Sequence, residues 1–266
     1  MGGGRAGLAQ QVNTERLLDV YDRLAAHYGP RRWWPGEGPF EVIVGAILTQ
    51  QTTWSNVEKA LANLKAAGAL SPGPMRALAD GDLAQLIRPS GFYRSKARKL
   101  AAFLELLFDR FEGELDRMLA TPGDDLRLLL LATHGIGPET ADAILLYASH
   151  RPYFVIDAYT RRTFSRIGIA PRQDTYDAWQ ALFHAALQDD VALFSEYHAL
   201  IVEHAKDVCR TDPSCGVCVL AGVCESGLRR HQIAGDERVV QHAPGDYQHV
   251  EHLVVAEDAR ERIRPA

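Results

Sequence analysis

Apolar side chains recur at helical spacing through most of the chain. Leu17, Leu18, Val20, Tyr21, Leu24 and Ala25 form one stripe, with Asn13 or Thr14 placed to cap it. The same periodicity predicts helices over roughly 39–50, 54–67, 83–88, 94–112, 124–132, 138–149, 158–167, 175–187 and 191–208. Gly, Pro and Ser punctuate the gaps, as in Ser71–Pro72–Gly73–Pro74 and Pro89–Ser90–Gly91. No stretch alternates with period two for long enough to require a sheet. Phe154–Val155–Ile156 reads as an apolar lead-in to a helix rather than a strand. The expected class is all-α.

Composition narrows the setting. With 266 residues, 47% of them hydrophobic and 24% charged, the chain can bury a core as one large or two small domains. No apolar run approaches the roughly 20 residues that span a bilayer. The opening MGGGRAGLAQQ lacks the apolar centre of a secretory signal, so a cytoplasmic protein is expected. A net charge of −5 argues against a polyanion binder only until the charge is located. Residues 231–266 alone contribute −3, from seven acidic and four basic side chains. Basic residues gather elsewhere, at Arg31–Arg32, Arg94 to Lys99, Arg161–Arg162 and Arg229–Arg230. Residues 1–12 and about 231–266 are weakly periodic and are expected to be flexible tails.

All four cysteines lie together, as Cys209, Cys215, Cys218 and Cys224 in a C-x5-C-x2-C-x5-C pattern. In a cytosolic chain such clustering points to a metal site rather than a disulfide framework. Four thiolates suit either zinc or an iron–sulfur cluster, and the spacing leaves both open.

Two further places carry candidate chemistry. The run Thr133–His134–Gly135–Ile136–Gly137–Pro138–Glu139 joins an apolar helix to one that starts at Pro138. Glycines Gly135 and Gly137 would let the backbone approach a ligand, and the following helix start offers unpaired N–H groups to a phosphate. An ordinary connection between two helices has the same pattern. Asp157 opens the next predicted helix, where it serves as a cap or, beside a cleft, as a carboxylate held ionised to stabilise positive charge on a sugar.

The order of these features resembles the endonuclease III family of helix-hairpin-helix DNA glycosylases over roughly residues 16–228. The resemblance rests on Ile47–Leu48–Thr49–Gln50–Gln51–Thr52, Ser90–Gly91–Phe92–Tyr93–Arg94–Ser95–Lys96–Ala97, His134–Gly135–Ile136–Gly137, Val155–Ile156–Asp157 and the four cysteines. It implies a two-lobed fold that clamps double-stranded DNA. One lobe is a six-helix barrel with the hairpin, over 38–151; the other is a discontinuous cluster lobe, from 13–37 plus 152–230. It implies a [4Fe–4S] cluster on the four cysteines, with zinc as the alternative. The family spacing has six residues between the first two cysteines, and here there are five. By the same resemblance Asp157 is the catalytic aspartate and Gln50 fills the gap left by an extruded nucleotide. The Gly135–Gly137 hairpin, Lys96, Arg161 and Arg162 would contact DNA. A monomer is the expected form.

Bifunctional members carry a Schiff-base lysine in the helix after the hairpin, and the matching position here is Glu139. A carboxylate forms no imine, so the expected enzyme is monofunctional: Asp157 stabilises an oxocarbenium-like sugar while water attacks. Glu139 either orients that water or only favours the helix start. Trp33, Trp34 and Trp54, with Pro89 to Tyr93, look like the 3-methyladenine glycosylase III branch, whose rings would stack on a flipped, cationic alkylated purine. They also suit lobe packing. That branch characteristically lacks the cluster, so oxidised pyrimidines or mismatched thymine are the alternative substrates. A non-catalytic damage-binding protein is the alternative class.

Overall fold

The stripe from Leu17 to Leu24 begins well inside a helix: in the computed structural model of the protein, α1 runs Gly3–Tyr28. The structure describes residues 3–31 and 33–233, with the side chains of 13–31, 33–79 and 81–229. The cap expected at Asn13 or Thr14 is therefore not a helix start. The preceding segment carries Ala6, Leu8, Ala9, Gln10 and Gln11, all good helix formers, and has no proline to stop the helix despite three glycines. The tail expected beyond residue 233 lies outside the described residues.

The chain continues through α2 (Pro39–Leu48), α3 (Trp54–Ala66), α4 (Pro72–Ala77), α5 (Asp80–Leu86), α6 (Tyr93–Phe111), α7 (Leu115–Leu119), α8 (Gly123–Leu131) and α9 (Pro138–Tyr147). It ends with α10 (Ala158–Ile167), α11 (Tyr176–Ala186), α12 (Val191–Asp207) and α13 (Glu225–Ile233). There is no strand among the described residues, and the fold is all-helical. Three short helices were not expected from periodicity. In α4 the Ser-Pro-Gly-Pro run, read as a break, is a start: Pro72 stands at the first helical turn, where its missing N–H costs nothing. Helices α7 and α13 carry too few apolar positions to announce themselves.

The helices divide into two units, Trp34–Val155 and the combination of Met1–Trp33 with Ile156–Ala266. In the central unit, α2 and α9 pack together and are buried on nearly every side. A helix apolar all round belongs at a centre. Fully burying each Val, Leu or Ile contributes about 1.5–3 kcal/mol, which fixes α2 and α9 as the core of this unit. Between α8 and α9 a charge pair is also enclosed: Arg127 Nε and Nη2 donate to the Asp142 carboxylate at 2.6 and 3.2 Å, and Asp142 is fully buried.

The other unit is built on rings. Phe164, Phe183 and Tyr197 stand mutually 5.0, 6.1 and 6.2 Å apart, and Tyr21 reaches Tyr197 edge-on at 5.2 Å. The Tyr197 hydroxyl donates to the Leu17 carbonyl at 2.6 Å, which satisfies that buried polar atom and ties α12 to α1. Burial holds the Tyr197 phenol well above its ordinary pKa.

Candidate functional site

Helix α2 ends at Leu48, and a turn through Gln50 and Gln51 leads to α3. Gln51 sits at φ +54°, in the left-handed region. The half-buried Gln50 amide is held on the hairpin: Nε2 donates to the Gly135 carbonyl at 3.1 Å and the Thr140 hydroxyl at 3.0 Å. Lys99 Nζ donates to its Oε1. Gln50 is thus neither a solvent-facing helix end nor free to rotate. Gly135 has φ +83°, and a Cβ there would run into the Lys99 side chain. Ile136 is buried beneath the turn, and Pro138 opens α9. Glu139 lies exposed in the first turn of α9, where its charge suits the helix dipole.

Lys99 was not singled out in the sequence; Lys96 was, as a DNA contact. The structure corrects this. Lys96 is 1% exposed, and its ammonium donates to the Leu48 carbonyl at 2.8 Å and the Ser90 carbonyl at 2.6 Å. It neutralises the negative end of α2 and anchors the Gln50 turn from beneath. Burial, and to a lesser extent Lys99, lowers its pKa to about 8. Phe92 was also overlooked as an individual residue. It is 66% exposed at φ +44°, a strained position for a large apolar side chain on the same unit as the hairpin.

Trp34 and Trp54 come together, ring centroids 5.2 Å apart, and Tyr147 joins them at 5.2 Å from Trp34. The small Gly45 of α2 makes room for the Trp34 indole. Trp33 belongs to the other unit, where Lys206 Nζ lies 5.8 Å above its ring and 6.0 Å above that of Tyr159.

Asp157 is the N-cap of α10. Its Oδ1 accepts from the Thr160 N–H at 2.7 Å, and its Oδ2 lies 3.6 Å from His198 Nε2. Burial works to raise its pKa, but the hydrogen bond and charge of His198, and the Thr160 N–H, outweigh that and hold the carboxyl below its ordinary value. His198 was not flagged in the sequence, since a histidine inside an amphipathic helix carries no local signal of its partner.

The cysteines follow α12. All four are free and line one pocket with Arg166, Val208, Pro213 and Ala221. Burial, with the surrounding thiols, pushes the Cys218 thiol up to about 11. Among the described residues no three His, Cys, Asp or Glu side chains stand in ligating geometry around a single ion. Two arginines hold the loop. Arg162 donates to the Cys209 and Ala205 carbonyls, both at 2.9 Å. Arg166 donates to the carbonyls of Cys209, Arg210 and Thr211 and lies 3.4 Å from the Cys209 Sγ. Arg162, expected on a phosphate, is instead spent on this loop, because its own helix faces the residues after α12. Arg161 pairs with Asp174 at 2.7 Å.

These positions form a pattern that comparison makes specific. The HhH-GPD superfamily base excision DNA repair protein family matches residues 44–188, from the middle of α2 to just beyond α11. The chain belongs to the HhH-GPD superfamily of base excision DNA repair proteins. Within it, a putative DNA repair glycosylase of Methanocaldococcus jannaschii is 42% identical over 214 residues, covering 80% of this chain and 97% of the relative. Among solved structures, an endonuclease III in non-covalent complex with DNA matches with a TM-score of 0.71 at 24% identity, covering 82% of this chain and 98% of that one. The H. pylori 3-methyladenine DNA glycosylase MagIII bound to 1,N6-ethenoadenine matches with a TM-score of 0.61 at 29% identity, covering 74% and 97%. The all-helical fold is that of these superfamily members, and no helix among the described residues is long and apolar enough to cross a membrane.

Proposed function

We propose that this protein is a monofunctional DNA glycosylase that flips a damaged base from double-stranded DNA and hydrolyses its N-glycosidic bond. The observation that carries the reading is Asp157, a nearly buried carboxylate held ionised at the start of α10. As the glycosidic bond breaks, the base leaves with the bonding electrons and the sugar becomes oxocarbenium-like. A fixed carboxylate stabilises that charge, and water supplies the oxygen that bonds to the sugar carbon, its proton passing to the departing base or to solvent. The N–H groups at the start of α9 would hold a DNA phosphate, with Lys99 beside them and Gln50 poised on the hairpin. DNA would be bound by a monomer.

The absence of an amine at Glu139 supports the monofunctional assignment. Borohydride should trap no adduct between the wild type and abasic DNA, whereas Glu139→Lys should become trappable. A trapped wild-type adduct would overturn the assignment. Duplexes carrying single alkylated purines or oxidised pyrimidines, read with and without alkali, test the reading as a whole: strand breaks are expected only after alkali. Binding without release from any lesion would make the protein a damage sensor instead.

An alkylated purine is the favoured substrate. Trp34, Trp54 and Tyr147 bring electron-rich rings together, and stacking on a cationic base is worth about 0.5–2 kcal/mol at a desolvated site. The neighbour MagIII was solved with an ethenoadenine base. The four-cysteine motif favours the second reading, an endonuclease III-like enzyme for oxidised pyrimidines or mismatched thymine.

The four cysteines would hold a [4Fe–4S] cluster. Zinc needs four thiolates within about 2.3 Å of one point, while a cluster needs them around a volume. Four free thiols lining one pocket fit either group, and the resemblance to the endonuclease III family favours the cluster. Bound, it would staple the C-terminal loop of its unit. Purified protein should be brown and contain iron and sulfide in about equal amounts, and Cys215→Ser should lose the colour and unfold at lower temperature. A colourless protein with one zinc per chain would refute this.

A further inference from the structure

Capping α10 requires one oxygen of Asp157, and Oδ1 supplies it to the Thr160 N–H. The second oxygen is met by a group that capping does not need. His198, on α12, is 6% exposed, and its Nε2 lies 3.6 Å from Oδ2. The position lies in the unit's interior, where an apolar residue would add burial without a polar atom to satisfy.

We propose that His198 is the positioning residue for Asp157: its Nε2–H fixes the plane of the carboxylate against the Thr160 cap. The inference rests on the glycosylase reading of Asp157. Oδ1 is bonded to the Thr160 N–H and Oδ2 faces the imidazole across 3.6 Å, so turning the carboxylate about its Cβ–Cγ bond would break the cap and carry Oδ2 away from His198. The carboxylate charge then stays aimed in one direction when the sugar becomes cationic, which is the condition for electrostatic stabilisation without reorganisation. A distance of 3.6 Å suits a free enzyme, in which catalytic hydrogen bonds are long and tighten on binding substrate.

The groups that act on the carboxylate come from two helices, and a third helix holds the backbone beside it. Thr160 acts from α10, and His198 acts from α12. Tyr176, in the first turn of α11, accepts the Ile156 N–H at 3.3 Å, one residue before Asp157.

The test compares His198→Ala and His198→Gln with wild type and Asp157→Asn. Gln places an amide N–H near the position of the imidazole Nε2–H without its charge. In single-turnover base release, His198→Ala should lower the rate constant roughly ten- to hundred-fold, the worth of one hydrogen bond to a charged group. DNA affinity should remain within about two-fold, and His198→Gln should restore most of the rate. Separately, the carboxyl carbon of Asp157, followed by NMR through an acid titration, should titrate below about 3.9 in the wild type and higher in His198→Ala. The proposal fails if the Asp157 midpoint is the same in all three proteins. It also fails if His198→Gln loses rate, affinity and thermal stability together, as a packing residue would. The titration needs no lesion. Wild-type silence on every duplex would therefore defeat the glycosylase reading, while the NMR midpoint still decides the role of His198.

Discussion

Asp157→Asn should abolish most base release while leaving the protein folded and DNA-bound, with a fall in rate of about 10²–10³-fold, the cost of removing one preorganised electrostatic group. The choice of asparagine matters. Asn is as good an N-cap as Asp, so its side-chain oxygen can still accept from the Thr160 N–H, and α10 should start where it does now. What disappears is the negative charge. Asp157→Ala would remove the cap as well and add about 1 kcal/mol of destabilisation. Comparing the two separates chemistry from folding. Base release by Asp157→Asn within a few-fold of wild type would end the assignment.

The same variant has a pH signature. Burial alone would raise the Asp157 pKa, but His198 and Thr160 leave it lowered relative to an unfolded chain. A lowered carboxylate pKa contributes stability that is present above the unfolded value of about 3.9 and is lost as pH falls through the folded value. Asp157→Asn should therefore show a shallower loss of stability on acidification, visible as a smaller drop in Tm between neutral and acidic buffer.

The second large effect is expected in the other unit, at the charge pair between α8 and α9. Arg127→Met would leave the fully buried Asp142 without the guanidinium that neutralises it. Removing one partner of an enclosed pair costs about 3–5 kcal/mol, which in a protein of ordinary stability is a large share of the total. Replacing both partners, as in Arg127→Met with Asp142→Leu, should recover much of that loss, because neither charge is then left in the core. Urea denaturation of the three variants measures this directly. Because α8 and α9 flank the Gly135–Gly137 turn, the single variant should also weaken DNA binding at temperatures below its unfolding. A loss under 1 kcal/mol for Arg127→Met would mean that Asp142 finds another partner or takes up a proton.

Much of this was legible along the chain. The 3.6-residue period is local, so the long helices α2, α3, α6, α9, α10, α11 and α12 and their all-α class could be read with no knowledge of what they pack against. The hairpin glycines, Asp157 and the cysteine quartet are legible for the same reason. Each is defined by residue type and spacing, and Asp157 caps the helix that follows it. Short helices were harder to read, because α4 and α7 contain too few turns for a period to rise above its surroundings and α13 carries too few apolar positions.

The direction in which a charged side chain points is a property of neighbours, not of sequence. Lys96 and Lys99 lie three residues apart on one helix in a basic run. Only the packing of α2 and the Arg88–Ser90 turn against α6 decides that Lys96 is internal, bonded to two carbonyls, while Lys99 reaches Gln50. Arg162 is spent on the cysteine loop for a similar reason, 47 residues away in the chain. The pairing of Asp157 with His198 spans 41 residues between two helices, so no local pattern encodes it. The sequence by itself determined which residues carry chemistry; tertiary structure decided what each is bonded to, because hydrogen bonds and ion pairs form between atoms near in space rather than along the chain.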